Sequence, residues 1–191
     1  MKKILIYSLM LLTVAFIPQA SADSSKDCKF LERASNGALL WNLVGSLAET
    51  NSTNFALPPG GLSQTNSTNA AIQALGSLLA TNHSAAFSNI ATLQETNGCA
   101  ASGELAKKQE KEFRKLARLT GPKFDKAFLE FVIEETSEAI DDYREAALKA
   151  KSAAVRSYAR EALLILTHQL VAALDAGEAV FGGDFDDVDD D

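Results

Sequence analysis

Three side chains in this sequence could together hold a metal ion: His83, Glu135 and His168. They fall in three different predicted helices, and imidazole and carboxylate groups can hold a divalent ion such as zinc. However, the sequence has no Glu-x-x-His pair of the kind that di-metal bundles use, and helical spacing turns His168 about 100° away from the interior. The alternative, which the sequence favours, is that His83 is a core histidine with a hydrogen-bond partner.

The two cysteines, Cys28 and Cys99, are the other reactive side chains. An even number of cysteines is typical of a disulfide in a protein from an oxidising compartment, and two unpaired thiols are the alternative. Nucleophilic catalysis has no support, because the sequence has neither a Gly-x-Ser-x-Gly motif nor a glycine-rich phosphate-binding loop. The sequence therefore predicts no enzymatic activity and no cofactor, with a divalent metal ion as the alternative to the latter.

Residues 1–22 predict a cleaved signal peptide. Two lysines near the start are followed by an almost wholly apolar run at residues 4–17 and by Ala20-Ser21-Ala22, which provides the small residues of a cleavage site. The run is about 14 residues long, shorter than the roughly 20 that span a bilayer, and an uncleaved anchor is the alternative. We therefore expect a periplasmic or secreted protein, with no later segment apolar enough to cross a membrane.

Five stretches in which apolar residues recur every third or fourth position predict five helices. Apolar residues make up 47% of the chain, enough for one core. The predicted helices run from about Cys28 to Glu49, Asn69 to Glu95, Ser102 to Leu119, Pro122 to Lys149, and Ser152 to Ala176, and Gly177 is expected to end the last. We predict an all-α fold, an antiparallel up-down bundle of about five helices over residues 23–181.

Between the first two helices lies a polar segment, residues 50–69, that contains Pro58-Pro59-Gly60-Gly61. No helix or strand interior accepts that sequence, so we predict a flexible surface loop. Three glycosylation sequons occur, at Asn51, Asn66 and Asn82. They would carry glycans only in a host with the necessary machinery, and we interpret them as chance occurrences.

The order of the helices bears on the two cysteines. If the first two helices are antiparallel neighbours, the start of the first lies beside the end of the second. Cys28 is at that start, and Cys99 comes just after that end. The sequence therefore predicts a Cys28–Cys99 disulfide at one end of the bundle.

Acidic residues are concentrated in the fourth helix and at the C-terminus. The formal net charge is −7, and six aspartates lie between Asp184 and Asp191. We interpret residues 182–191 as a disordered, solubilising tail, with weak calcium binding or attraction to a basic partner as the alternative. The acidic face of the fourth helix is interpreted as a solvated surface, except that Glu135 borders the buried stripe. The sequence has no basic patch with interleaved aromatics, which disfavours nucleic-acid binding.

Several segments follow a pattern known from other proteins. In the first helix, Phe30-Leu31-Glu32-Arg33-Ala34 is followed by Gly45-Ser46-Leu47-Ala48; later, Leu116-Ala117-Arg118-Leu119-Thr120-Gly121 leads to Phe124-Asp125 and Phe128-Leu129. These segments resemble a bacterial family of exported proteins called domain of unknown function 4142. The resemblance extends over most of the predicted mature chain except residues 50–69 and the tail. It implies a ferritin-like helical bundle, and it implies no particular activity.

The chain departs from this family pattern where a metal site would need ligands. Trp41 stands where the family tends to have an acid, Thr136 where it has a second histidine, and Gln169 where it has a histidine in the last helix, whereas His83 is kept. We therefore predict an exported, non-enzymatic bundle that acts through contacts with an unknown protein partner in the cell envelope or periplasm. A ferritin-like metal-binding protein with a degenerate site is the alternative.

Overall fold

The computed structural model describes residues 24–49, 67 and 69–182. The predicted signal peptide, most of the predicted loop with Asn51 and Asn66, and nearly all of the acidic tail lie outside these residues. Five helices are present: α1 (Ser24–Ala48), α2 (Ala70–Thr96), α3 (Lys107–Leu116), α4 (Pro122–Lys149) and α5 (Ala153–Phe181). The described part of the chain has no strand. The helices pack as antiparallel pairs, α1 with α2 and α4 with α5, and the all-α prediction is confirmed.

The last helix is longer than the sequence predicts. The prediction that Gly177 ends it is wrong, because α5 continues to Phe181 and ends at Gly182, whose φ of 65° suits a glycine. Gly177 is buried within the helix, and Val180 and Phe181 pack against the core beyond it. This burial outweighs the roughly 1 kcal/mol that a glycine costs inside a helix.

The third helix is shorter than the sequence predicts. Ser102, the predicted first residue, instead bonds to the first helix pair: the hydroxyl of Ser35 donates to its carbonyl oxygen at 2.9 Å, and the amide of Gln94 donates to its hydroxyl at 3.0 Å. The chain therefore packs against the middle of α1 and the end of α2 before α3 begins. The side chain of Gln109 then accepts a hydrogen bond from the backbone of Ala106 and caps the new helix.

Two apolar clusters form the core. One contains Trp41, Leu79 and Phe128, and the other, next to the cysteines, contains Phe30 and Ile90. The predicted inward stripe of α1 is present, but the helix is buried around most of its circumference, because Leu31, Leu40, Leu43 and Leu47 are buried as well. Helix α1 is thus contacted on several sides, by α2, α3 and α4.

The predicted disulfide is confirmed. Cys28 and Cys99 are bonded, with their Cα atoms 5.3 Å apart, and they are separated by 71 positions in the sequence. In the chain-entropy treatment, closing a loop of that length stabilises the fold by roughly 4 kcal/mol. The bond also indicates an oxidising, extracytoplasmic location, which is consistent with export.

Next to the disulfide, Asp27 joins the two helix pairs. Its carboxylate is 4% exposed and accepts hydrogen bonds from the backbone N–H groups of Lys151, at 3.0 Å, and Ser152, at 2.8 Å. Those groups belong to the turn between α4 and α5, and the Ser152 side chain caps the start of α5. The start of α1 is therefore attached to this turn as well as to α2.

Helix α5 is apolar enough and long enough to cross a membrane by length and composition alone. The expectation that no segment after the signal peptide meets this criterion is therefore wrong. In its most apolar window, 28% of the residues are buried inside the bundle, and they include the polar side chain of Gln169. One side of α5 belongs to the core, and the other is an apolar surface.

Helices α1 and α2 touch backbone to backbone where Gly45 meets Gly76. A Cβ atom on Gly45 would lie 2.6 Å from the carbonyl oxygen of Gly76 and 2.7 Å from the backbone nitrogen of Ala80. A Cβ atom on Gly76 would lie 2.6 Å from the Cβ of Ala48. Real Cβ atoms do not approach so closely, so both positions require glycine if the helices are to keep this separation.

We predict that Gly45→Ala lowers the free energy of unfolding by about 1–3 kcal/mol, because the added methyl group must push two backbones apart. Gly103→Ala is the control, since a Cβ atom there meets nothing within 4 Å, and it should change the stability by less than about 1 kcal/mol. Urea unfolding with the disulfide intact measures both. Equal effects of the two substitutions would show that the close helix crossing is not needed.

Candidate functional site

A cavity of about 400 Å³ lies between α1 and α4, with α3 along one side. The cavity lies where the two core clusters meet. Its lining includes Trp41 from the first cluster and Ala34 and Tyr143 from the second. Helix α2 contributes His83 to the wall, and α5 contributes Leu166. The four long helices and the start of α3 therefore all contribute to this one site.

His83 is held in place by two contacts. Its ring stacks on the indole of Trp41 with 5.1 Å between the centroids and 19° between the planes. Its Nε2 atom lies 3.2 Å from Oε1 of Gln169. Because an amide oxygen only accepts hydrogen bonds, Nε2 carries the hydrogen and donates it. The ring therefore bridges α1 and α5 from its position on α2.

The electrostatic environment keeps His83 neutral. Burial lowers the pKa of its imidazole to about 4, against an ordinary value of 6.5, and the hydrogen bond to Gln169 opposes this shift only in part. A neutral histidine that is 8% exposed and paired through one nitrogen retains a lone pair on Nδ1. At neutral pH it can accept a hydrogen bond, and it adds no charge to the cavity.

Glu135 lies on the same cavity and is half-buried. Burial raises the pKa of its carboxyl group, the negative charge of Glu138 raises it further, and Lys108 opposes the shift. Glu135 makes no hydrogen bond or salt bridge with the part of the chain that the structure describes. Its carboxylate is therefore available to a bound molecule.

At the edge of the cavity, Arg33 on α1 pairs with Asp142 on α4. The guanidinium donates from Nε to Oδ2 at 2.9 Å and from Nη2 to Oδ1 at 2.5 Å. Such bidentate arginine–carboxylate pairs have a better-defined geometry than ion pairs with a single hydrogen bond. The pair joins the two helices across the opening and uses the one arginine that lines the cavity.

The structure brings together two of the three predicted metal ligands. His83 and Glu135 line one cavity, whereas His168 is exposed on the outer side of α5, and its neighbour Gln169 takes the inward position. Within residues 24–49, 67 and 69–182, no group of three His, Cys, Asp or Glu side chains could hold a metal ion.

Two features of the cavity carried no sequence signal that would have identified them. The partners Arg33 and Asp142 are 109 positions apart, and only the packing of α1 on α4 brings them together. The sequence could have indicated that Gln169 lies on the inward face of α5, but not which group it pairs with. That an amide would pair with His83 is a consequence of the three-helix arrangement.

The comparisons with known proteins give one match. The family model described as Domain of unknown function (DUF4142) matches residues 42–175, which is more than half of the chain. The chain therefore belongs to this family, as the sequence resemblance indicated. No curated protein and no solved structure matches the chain. The matched segment begins after Asp27, Cys28, Arg33 and Trp41, so the family description carries no information about these four residues.

We predict that His83 makes the stability of the fold depend on pH. The pKa of His83 is about 4 in the folded protein and 6.5 in the unfolded chain, so between these values the unfolded chain binds more protons. The stabilisation is complete above pH 6.5 and is lost as the pH falls towards 4; between pH 7 and pH 5 the loss is about 2 kcal/mol. Urea unfolding of the wild type and of His83→Gln at both pH values measures it.

In that experiment, the His83→Gln variant should lose about 2 kcal/mol less stability than the wild type over the same pH interval. Glu135 and the other carboxyl groups are common to both proteins, so their contributions largely cancel in the comparison. An identical pH dependence in the two proteins would contradict the burial of a neutral His83.

Proposed function

We propose that this member of the DUF4142 family is an exported, non-enzymatic binding protein that acts through contacts with a protein partner in the periplasm or cell envelope. A helical bundle with a disulfide is consistent with export. The family description assigns no activity, so the proposal is supported by the surface of the molecule itself.

The observation that carries the proposal is the outer face of α5, which we define by Leu164, Ile165, His168, Val171 and Leu174. Leu164 is 76% exposed and Val171 is 50% exposed. The positions 164, 168 and 171 follow one another at helical spacing, and Ile165 and Leu174 flank this line. Apolar side chains grouped in this way on a surface mark interaction sites more often than single exposed ones do.

The amount of apolar surface is sufficient for a specific contact. Burying one leucine, isoleucine or valine side chain fully contributes roughly 1.5–3 kcal/mol, and four such side chains lie on the outer face of α5. The helix is held on its other side by α4 and α2. Little ordering is therefore needed before a partner docks, which keeps the cost of association low.

Three of the groups that could act as catalysts, the two cysteines and His83, are engaged in structural contacts, and this supports the non-enzymatic part of the proposal. Cys28 and Cys99 are bonded to each other, so neither is a thiolate nucleophile. His83 is stacked on Trp41 and bonded to Gln169. Its lowered pKa makes it a weak base at neutral pH.

We predict that a photo-crosslinking amino acid placed at position 164 captures one defined protein in the producing cell. The same amino acid at the exposed position 95 on α2 is the control and should not capture it. With the photo-crosslinking amino acid moved to position 165, the double substitution Leu164→Asn and Val171→Asn should abolish the cross-link. It should change the free energy of unfolding by less than about 1 kcal/mol, because both side chains are exposed. Capture of lipid alone, or equal capture from positions 164 and 95, would contradict the proposal.

The alternative function is metal binding at a degenerate ferritin-like site. What supports it is that His83 and Glu135 line the same cavity. Against it, His168 is on the outer face of α5, and Nε2 of His83 already bonds to Gln169. Two protein ligands are fewer than the three that catalytic zinc sites use.

We therefore expect native mass spectrometry of the purified protein with added zinc to show no stoichiometric bound ion. His83→Gln and Glu135→Gln should leave the small non-specific uptake unchanged. One equivalent of zinc that disappears in both variants, but is kept in the control Glu134→Gln, would establish the alternative function instead.

A further inference from the structure

The cavity between α1 and α4 contains polar groups that the protein leaves without partners. The indole Nε1 of Trp41 lies at the wall beside Gly37 and makes no hydrogen bond with a described residue, although Trp41 is only 4% exposed. The side-chain oxygen of Asn36, which also lines the cavity, is buried and has no partner. A buried oxygen such as that of Asn36 is costly unless something donates a hydrogen bond to it. A bound donor would remove that cost, whereas the indole N–H of Trp41 is itself a donor and can be paired only by an acceptor.

The charges around the cavity favour a positively charged molecule. Three carboxylates line it, those of Glu135, Glu138 and Asp142, against one cation, Arg33. Arg33 is paired with Asp142, so the wall keeps an excess of acidic charge at Glu135 and Glu138, which Lys108, outside the cavity lining, opposes at Glu135. A cation at this position would offset that charge in a partly desolvated space, where charge-assisted hydrogen bonds are strong.

The size and the walls of the cavity favour an organic cation over a bare ion. Its volume is about 400 Å³, within the range of cavities that hold small organic molecules. Trp41, Tyr143 and Leu166 provide aromatic and aliphatic walls. Such walls attract an apolar group, and an aromatic ring also attracts a nearby ammonium.

We propose that this cavity binds a small organic cation, an ammonium group attached to an apolar body. The ammonium donates to the carboxylate of Glu135 and the side-chain oxygen of Asn36, and the apolar body packs against Trp41 and Tyr143. This site is separate from the outer face of α5, so binding does not depend on the protein partner proposed above.

The test uses three probes of similar shape and different charge: benzylammonium, benzyl alcohol and benzoate. Trp41 is the only tryptophan in the chain, so its fluorescence reports directly on the cavity. In the full-length protein with EDTA present, benzylammonium should change the fluorescence with a saturable dependence on concentration. The neutral and anionic probes should bind at least about tenfold more weakly, because each lacks the charge that Glu135 pairs with.

Two substitutions identify the site. Glu135→Gln should weaken benzylammonium binding at least about tenfold, whereas the control Glu134→Gln, at an exposed position that does not line the cavity, should leave it unchanged. Gly37→Leu should abolish binding by filling the cavity, since the first added atom meets nothing closer than 3.9 Å. That variant should fold at least as stably as the wild type, because leucine is a better helix former than glycine.

The proposal is overturned if benzylammonium gives no saturable change, or if benzyl alcohol binds as tightly as benzylammonium. Equal losses in the Glu134→Gln and Glu135→Gln variants would also overturn it, as would full binding by a folded Gly37→Leu protein. Leu164→Asn with Val171→Asn should bind benzylammonium like the wild type, which separates this site from the surface that contacts a partner.

Discussion

The fold depends on how closely α1 and α2 approach each other. Near one end of the pair, Gly45 and Gly76 bring the two backbones into direct contact, and no other residue fits at either position. At the other end, the Cys28–Cys99 bond fixes the start of α1 to the end of α2. With both ends fixed, the pair cannot slide or splay. The stack of Trp41 on His83 lies between these two constraints, so its position follows from them.

The two helix pairs are joined by polar contacts as well as by the core. Asp27 bonds to the turn between α4 and α5, and Arg33 pairs with Asp142 on α4. His83 on α2 bonds to Gln169 on α5. Polar contacts of this kind require correct geometry, because a buried group that misses its partner is costly. They therefore set how the second pair is oriented on the first, and the cavity lies at the junction that they surround.

Much of the fold was predictable from residue periodicity and turn chemistry. The bounds of α4 follow from Gly121-Pro122 before it and Ser152 after it, and the disulfide follows from the expected helix order. Periodicity also placed His168 away from the interior, where the structure has it. The continuation of α5 past Gly177 was not predictable, because it depends on the burial of Val180 and Phe181 in a core that the rest of the chain builds.

The candidate site was less predictable than the helices. Its histidine and its glutamate could be selected as polar residues on or beside buried stripes. The cavity could not be predicted, because an empty space is a property of how helices pack and has no signature in the local sequence. The same holds for Arg33 and Asp142, since charged residues on two helix surfaces have many possible partners until the helices are placed.

Gly37 is the residue that connects the packing of α1 to the cavity. Gly45 is required by the neighbouring backbone, but a Cβ atom on Gly37 would touch only Trp41, at 3.9 Å. A glycine in the middle of a helix costs about 1 kcal/mol relative to alanine, and no close contact in the structure explains that cost at position 37. What the glycine does is leave room beside the unpaired indole N–H of Trp41 and the unpaired amide oxygen of Asn36. A larger side chain at position 37 would fill the space that a ligand needs, so the same residue that weakens the helix keeps the cavity open.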